Sequence, residues 1–355
     1  MAAEIPSTTS QWTMTADKGF EGLRFEERVS LPELKSTECL VKIEAASLNY
    51  RDIAIPSGKY VRKFRDRIVP GSDGAGTIIA IGSEVTMFKV GDQVCTLFNQ
   101  AHQDGFITQA ILETSIGSHR DGVLRQYAAF DETALVPAPT TLSFGEASTL
   151  SCAATTAWNA LYGVAGRALA NGDYVLVQGT GGVSLFAAQI ALTAGATVIA
   201  TTSSDTKGEE LKKLGVHHVI NYKTDSAWGE TAKKLTKDGQ GLHHIIEVGG
   251  ETTMAQSLKA VRCEGVISII GFLGGRPESQ LCSLDDLLKT RAIARGLSVA
   301  SREQFIEMNK FIDEHKIKPH IDKRIFKFDE LKEAYQYMDD QKHWGKIVID
   351  IAGSH

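Results

Sequence analysis

The segment that decides the fold is VLVQGTGGVSLFAAQIA, residues 175–191. A short, almost wholly apolar run ends in a glycine-rich turn, and a run of helix-forming residues follows. Gly179, Thr180, Gly181, Gly182 and Val183 therefore sit where a strand hands over to a helix. Backbone amides at such a turn, backed by the positive end of a helix dipole, can hold a pyrophosphate. Gly179 permits the tight turn, and Gly181 lets the backbone approach phosphates without a Cβ in the way. The third glycine of a G-x-G-x-x-G pattern is replaced by Ser184, which is still small enough for close helix–sheet contact.

Outward from this turn the same rhythm repeats. TVIATTS reads as a second strand, DTKGEELKKLG as a helix ending in glycine, and HHVINY as a third strand. HHIIEVGG, GVISIIGFLGG and AIARGLSV continue the series. Strand and helix alternating in units of ~30 residues predict a parallel, doubly wound sheet covered on both faces. Residues 1–150 differ: short alternating runs such as CLVKIEAASL and GTIIAIG, cut by Gly and Pro, predict β-rich structure with tight turns. An amphipathic helix, SREQFIEMNKFIDEH, leads to a final strand, GKIVIDI. The expected α/β architecture is a Rossmann dinucleotide domain over 154–315, inserted into a β-rich domain built from 1–153 and 316–355.

The end of the second strand reports on the cofactor. A carboxylate ~20 residues after the glycines accepts the ribose hydroxyls of NAD. Here Ser203 falls at that place, with Ser204 next and Lys207 shortly after. Two hydroxyls and an ammonium suit a 2′-phosphate, so NADP(H) is the expected cofactor, with Tyr222 placed to close over the same phosphate. Asp205 is the feature that argues the other way.

With 355 residues, 43% hydrophobic and 23% charged, the chain is long enough for two packed domains of ordinary composition. A net charge of −5 without a basic run offers no electrostatic partner to nucleic acid or an anionic membrane. Five widely spaced cysteines with no CxxC pair suggest neither a disulfide framework nor a zinc ribbon. No signal segment or run of ~20 apolar residues is read, so the expectation is a cytoplasmic protein.

AASLNYRDIAIPSGKY, VPGSDGAGTIIAIGSEVTMFKVGDQV, DGVLRQYAAF, CAATTAWNAL and the terminal GKIVI, together with the glycine turn, resemble the medium-chain dehydrogenase/reductase superfamily over almost the whole chain. The resemblance implies a GroES-like catalytic domain beside the Rossmann domain. Zinc-containing members hold their catalytic metal with a Cys, a His–Glu pair after PG, and a later Cys or Glu. Asn49, Ser72–Asp73 and Cys152 stand at those places, and His102–Tyr127 lacks the four cysteines of the structural-zinc lobe. Zinc needs three protein ligands drawn from Cys, His and carboxylate. The chain is therefore similar to the zinc-independent, quinone-reductase-like branch, with no metal expected.

Without a Lewis acid, charge developing on a reacting oxygen must be met by hydrogen-bond donors. Tyr60, at the spacing of a pocket tyrosine in that branch, is the candidate donor; Asn49 is the orienting amide, and Tyr50 an alternative. The resemblance also implies an Asp52–Lys346 pair, with Lys346 near the cofactor phosphates, and nicotinamide contacts from Thr156. Gly271, Phe272, Leu273, Ser298 and Val299 follow later Rossmann strands, where open α/β sheets bind ligands. The long polar stretch from Phe98 to Gly122 is expected to act as a substrate lid, with Phe98, Phe106 and Cys152 lining the substrate pocket. The predicted reaction is hydride transfer to an activated C=C of an enone, enal or quinone. Carbonyl reduction by a metal-free alcohol dehydrogenase and a non-catalytic NADPH-binding role are the alternatives. The resemblance further implies a homodimer through the edge of the Rossmann sheet.

Overall fold

The computed structural model describes residues 5–15, 18–60, 65–275 and 283–353; Cys282 lies outside them. The chain divides into two compact units, Met1–Thr155 with Ser301–His355, and Thr156–Ala300.

The main sheet of the first unit runs in the order Phe326–Lys327, Val348–Asp350, Glu38–Ser47, Asp73–Ile81, Gln93–Thr96, Leu135–Pro137. Tyr127–Asp131 also pairs with Glu38–Ser47. Trp12, Val41, Ile43, Ile78, Phe326, Tyr335 and Ile349 pack in one core, so both ends of the chain are needed to exclude water from it. Val348 lies opposite Ser47 in an antiparallel pair, and this register sets Lys346 against the residues that follow Ser47. Those residues open the short helix Tyr50–Ala54, where the Asp52 carboxylate accepts the Asn49 N–H at 2.7 Å. The polar excursion returns at Gly122, where a Cβ would stand 2.0 Å from the Gly71 carbonyl oxygen. Only glycine fits that approach.

Helix Arg302–His315 belongs to the first unit, although the sequence pattern places it in the Rossmann domain over 154–315. Its polar face explains the difference. Asp313 accepts the backbone amides of Thr140 and Thr141, each at 2.9 Å, while Asn309 and Arg302 donate to the carbonyls of Pro137 and Leu135, also at 2.9 Å.

The second unit is a six-stranded sheet ordered His218–Asn221, Thr197–Thr202, Tyr174–Gln178, Leu242–Glu247, Val261–Ile269, Ile293–Gly296. Every pair in it is parallel. Numbered within the unit this is 3-2-1-4-5-6, the Rossmann order, with the switch between Tyr174–Gln178 and Leu242–Glu247. Leu176, Ile199, Ile245 and Ile267 fill its core, as expected for strands covered on both faces. Ile293–Gly296 is an edge strand. Among the described residues no helix is long and apolar enough to cross a membrane.

Candidate active site

In the second unit, Gly179 adopts φ +72° and its N–H bonds the Thr201 carbonyl at 2.8 Å, so the strand end turns sharply beside its neighbour. Gly181 is the N-cap of helix Gly182–Thr193. A Cβ built at Gly179 or Gly181 would meet nothing within 4 Å, which leaves an open cradle before the unsatisfied first-turn amides of the helix. Ser184 is buried and donates to the Gln178 carbonyl at 2.6 Å, so the replaced glycine gains a bond tying helix to strand.

Ser203 directly follows strand Thr197–Thr202. Ser204 caps helix Asp205–Lys213 by accepting the Lys207 N–H at 3.4 Å. The Asp205 carboxylate is engaged by the Asn221 amide at 2.7 Å, and Tyr222, 44% exposed, follows at the end of the next strand. Thr156 and Thr180 are buried. Phe272 and Leu273 are exposed at the end of Val261–Ile269, and the Gly271 N–H turns back to the Glu247 carbonyl at 3.4 Å. The carbonyls of Ser298 and Val299 accept from the Asn159 amide at 3.4 and 3.1 Å.

Sequence reasoning missed Glu247. Fully buried at the switch point, it accepts from Gln178 Nε2 at 2.7 Å, from the amides of Gly249 and Gly250 at 2.9 and 3.0 Å, and from Thr253 and Ser257. A carboxylate directly after two isoleucines at the end of the strand, HHIIE, was the available signal.

In the first unit, Lys346 is 3% exposed. Its ammonium donates to Leu48 O at 2.7 Å, to Asp73 Oδ2 at 3.2 Å and to Asn49 Oδ1. Asn49 Nδ2 donates to Ser72 Oγ at 3.3 Å, and Ser72 Oγ to Asp73 Oδ1 at 3.0 Å. Two expectations are corrected here. Lys346 takes Asp73, not Asp52, as its ion-pair partner, because Asp52 turns inward to cap its own helix. Its ammonium is also fully engaged inside this cluster, so it is not free for cofactor phosphates. Burial pushes Asp52 up to about 6, against the opposing pull of Arg51.

Burial, and then the Asp73 charge, push the Cys152 thiol up to about 12. Arg51 is buried, with Nη1 on the Ile116 carbonyl at 2.8 Å and its guanidinium 4.5 Å from the Phe98 ring and 5.6 Å from that of Tyr60. Tyr60 is half-buried on the first unit's core, and Tyr50 is 38% exposed. Asn49, Ser72, Asp73 and Lys346 are thus brought together, while Tyr60 is held by Arg51. Phe98 is buried beneath that guanidinium and Phe106 is 97% exposed, so they are not two walls of one pocket. The excursion between them and Gly122 has well-held stems: Asn99, His102, Ser115 and Ser118 are buried in it.

A Rossmann unit and a largely antiparallel β-rich unit in one chain define the class, that of the two-part dehydrogenases and reductases. Residues 35–140 match the family model of the alcohol dehydrogenase GroES-like domain, and residues 182–314 that of the zinc-binding dehydrogenases. A zinc-type alcohol dehydrogenase-like protein of Schizosaccharomyces pombe is 45% identical over 94% of this chain and 96% of its own. A solved structure described as an alcohol dehydrogenase of Sinorhizobium meliloti is 36% identical with a TM-score of 0.88, over 98% of this chain and 100% of its own. An NADPH-dependent alkenal/one oxidoreductase of Arabidopsis thaliana is 28% identical over 98% of this chain and 81% of its own. The chain belongs to the medium-chain dehydrogenase/reductase superfamily, in its alcohol dehydrogenase-like branch, and is an oxidoreductase of that family.

Proposed function

We propose that the protein is a zinc-independent, NADPH-dependent reductase of activated C=C bonds in enones, enals or quinones. The observation that carries this reading is the buried Lys346 ammonium. It bonds Asn49 and Asp73, two of the residues that stand where zinc-containing relatives hold the ion. A fixed cation there repels a second one, and the amide of Asn49, the hydroxyl of Ser72 and the single thiol of Cys152 are a set that does not fit zinc, which takes three ligands from Cys, His and carboxylate.

The open cradle at Gly179 and Gly181 fits a pyrophosphate, and Ser203 with Lys207 fits a 2′-phosphate once Asp205 is turned to Asn221. Bound NADPH would supply a hydride to the β-carbon of the substrate. Lys346 holds the Asn49 oxygen, which fixes Nδ2 as the face of that amide able to donate to an enolate oxygen. Tyr60 then returns a proton to the α-carbon, its ring held by Arg51. The name of the Arabidopsis relative supports both the cofactor and the substrate class. Carbonyl reduction by the same residues is the second reading, favoured by the name of the fission-yeast relative. A two-fold dimer through the edge strand Ile293–Gly296 completes the reading, and its check is sedimentation.

Product analysis with an enone separates the two chemistries, a saturated ketone from the first and an allylic alcohol from the second. Asn49→Ala should lower kcat by about 10²–10³, and Ser203→Asp should weaken NADPH far more than NADH. Stoichiometric zinc, lost to chelator together with activity, overturns the zinc-independent reading; equal effects of Ser203→Asp on both cofactors overturn the phosphate assignment.

A further inference from the structure

Apart from these residues, the first unit holds a cavity of about 450 Å³ bordered by Lys35, Glu38, Arg120, Asp121, Arg125 and Asp131. Three cations face three carboxylates, so the charge sums to zero, but the pairing does not. Glu38 accepts Lys35 Nζ at 2.9 Å and the Lys35 N–H at 3.1 Å. Asp131 accepts Thr37 Oγ1 at 2.8 Å, and the N–H and hydroxyl of Thr133 at 3.0 and 2.7 Å. Asp121 accepts from Arg65 and from the Val69 N–H at 3.0 Å. Each carboxylate is therefore satisfied by donors other than Arg120 and Arg125, and Lys35 is satisfied by Glu38.

The two arginines are left over. Among the described residues neither guanidinium has a hydrogen-bond acceptor or an ion pair. Arg125 Nε is buried with no partner, and the group lies 6.0 Å from the Phe130 ring, which also lines the cavity. Burial, and secondarily the like charge of Arg65, pull the Arg125 guanidinium below its ordinary value, with Asp121 opposing. Burying a charge is costly unless something answers it. A planar fork of donors is answered best by a phosphate or carboxylate, and the volume lies within the range of small-molecule sites.

We propose that this cavity binds a small organic molecule through a phosphate or carboxylate group held by Arg120 and Arg125. The site is separate from the residues assigned to the reductase reaction and does not depend on that reading.

The test is thermal unfolding with inorganic phosphate or citrate at constant ionic strength, chloride being the reference. Because the glycine turn and Lys207 also attract phosphate, every Tm is compared with that of Arg120→Ala, which leaves both of those in place. Phosphate, citrate or both should raise the parent Tm above that comparison, and the anion that does so identifies the class. Arg120 is exposed, so Arg120→Ala should fold normally and weaken the anion roughly tenfold, the loss of one charge-assisted contact. Arg125→Lys, which keeps the charge and loses the fork, should weaken it by less. No rise with either anion, or an undiminished rise in folded Arg120→Ala protein, overturns the proposal.

Discussion

In the first unit the buried charges come from distant parts of the chain, with Lys346 reaching Asn49 from 297 positions away and Asp73 from 273. In the second, Glu247 is answered mainly by its own turn, Gly249, Gly250 and Thr253, with Gln178 supplied by the neighbouring strand. Both units bury a charged group where their chemistry is expected, but one closes it with the C-terminal strand and the other almost within one strand–turn–helix. The first arrangement couples the Asn49 amide to Lys346, far along the chain. The second holds the loop after the switch point through bonds made almost wholly within its own segment.

The largest effect expected from this contrast is on removing Lys346. Lys346→Met leaves the Asp73 carboxylate buried and unpaired, which costs about 3–5 kcal/mol. Hydrogen exchange should show the loss across Glu38–Ser47 and Val348–Asp350 and leave the parallel sheet protected. Equal loss in both units would break the comparison. Glu247→Ala should act in the mirror sense. It strands the donors of Gln178, Gly249 and Gly250 at roughly 2–4 kcal/mol, with exchange rising at Val248–Gly250 and the antiparallel sheet unaffected.

Acid and base should also separate the units. Asp52 is raised from 3.8 to about 6 by burial, so the folded state holds its proton longer than the unfolded one. Its stabilising contribution is complete below pH 3.8 and lost as pH rises through about 6. His244 is lowered from 6.5 to about 4, first by burial and against the pull of Asp173. Its contribution is complete above 6.5 and lost as pH falls through about 4. Asp52→Asn should therefore gain on the parent protein as pH rises from 4 to 7, by up to roughly 3 kcal/mol. His244→Gln should gain as pH falls over the same range. His320, lowered by burial in the first unit, acts against Asp52 in the raw profile, so the difference between variant and parent is the quantity to measure. The smallest effect is Ser184→Ala, which removes one buried hydrogen bond worth about 1 kcal/mol and should loosen only helix Gly182–Thr193.

The same contrast sets what could be read before the structure. Strands and helices of the second unit were legible because parallel strands covered on both faces are apolar runs, and their partners lie one crossover away. The glycine turn and the hydroxyl pair at Ser203 and Ser204 were legible for the same local reason. In the first unit the β-rich character could be read, but not its pairing. Lys346 was assigned to Asp52 and to cofactor phosphates, and only the register of Val348 on Ser47 reveals that Asp73 takes the ammonium. Helix Arg302–His315 had the right periodicity, yet its unit is decided by Asp313 capping Thr140 and Thr141. Phe98 and Phe106, eight positions apart in one polar excursion, end in opposite environments because Arg51 covers the first.

By itself, the order of amino acids determined a Rossmann unit with a glycine turn between strand and helix, and set Asn49 and Ser72 where the resemblance places metal ligands. Those are properties of short segments, set by side-chain size, alternation and donor chemistry. Only the tertiary structure decided that an ammonium from the far end of the chain occupies that cluster and orients the Asn49 amide. It alone left Arg120 and Arg125 facing a cavity without an acceptor. Charge pairing across hundreds of positions depends on strand register, and no local pattern encodes it.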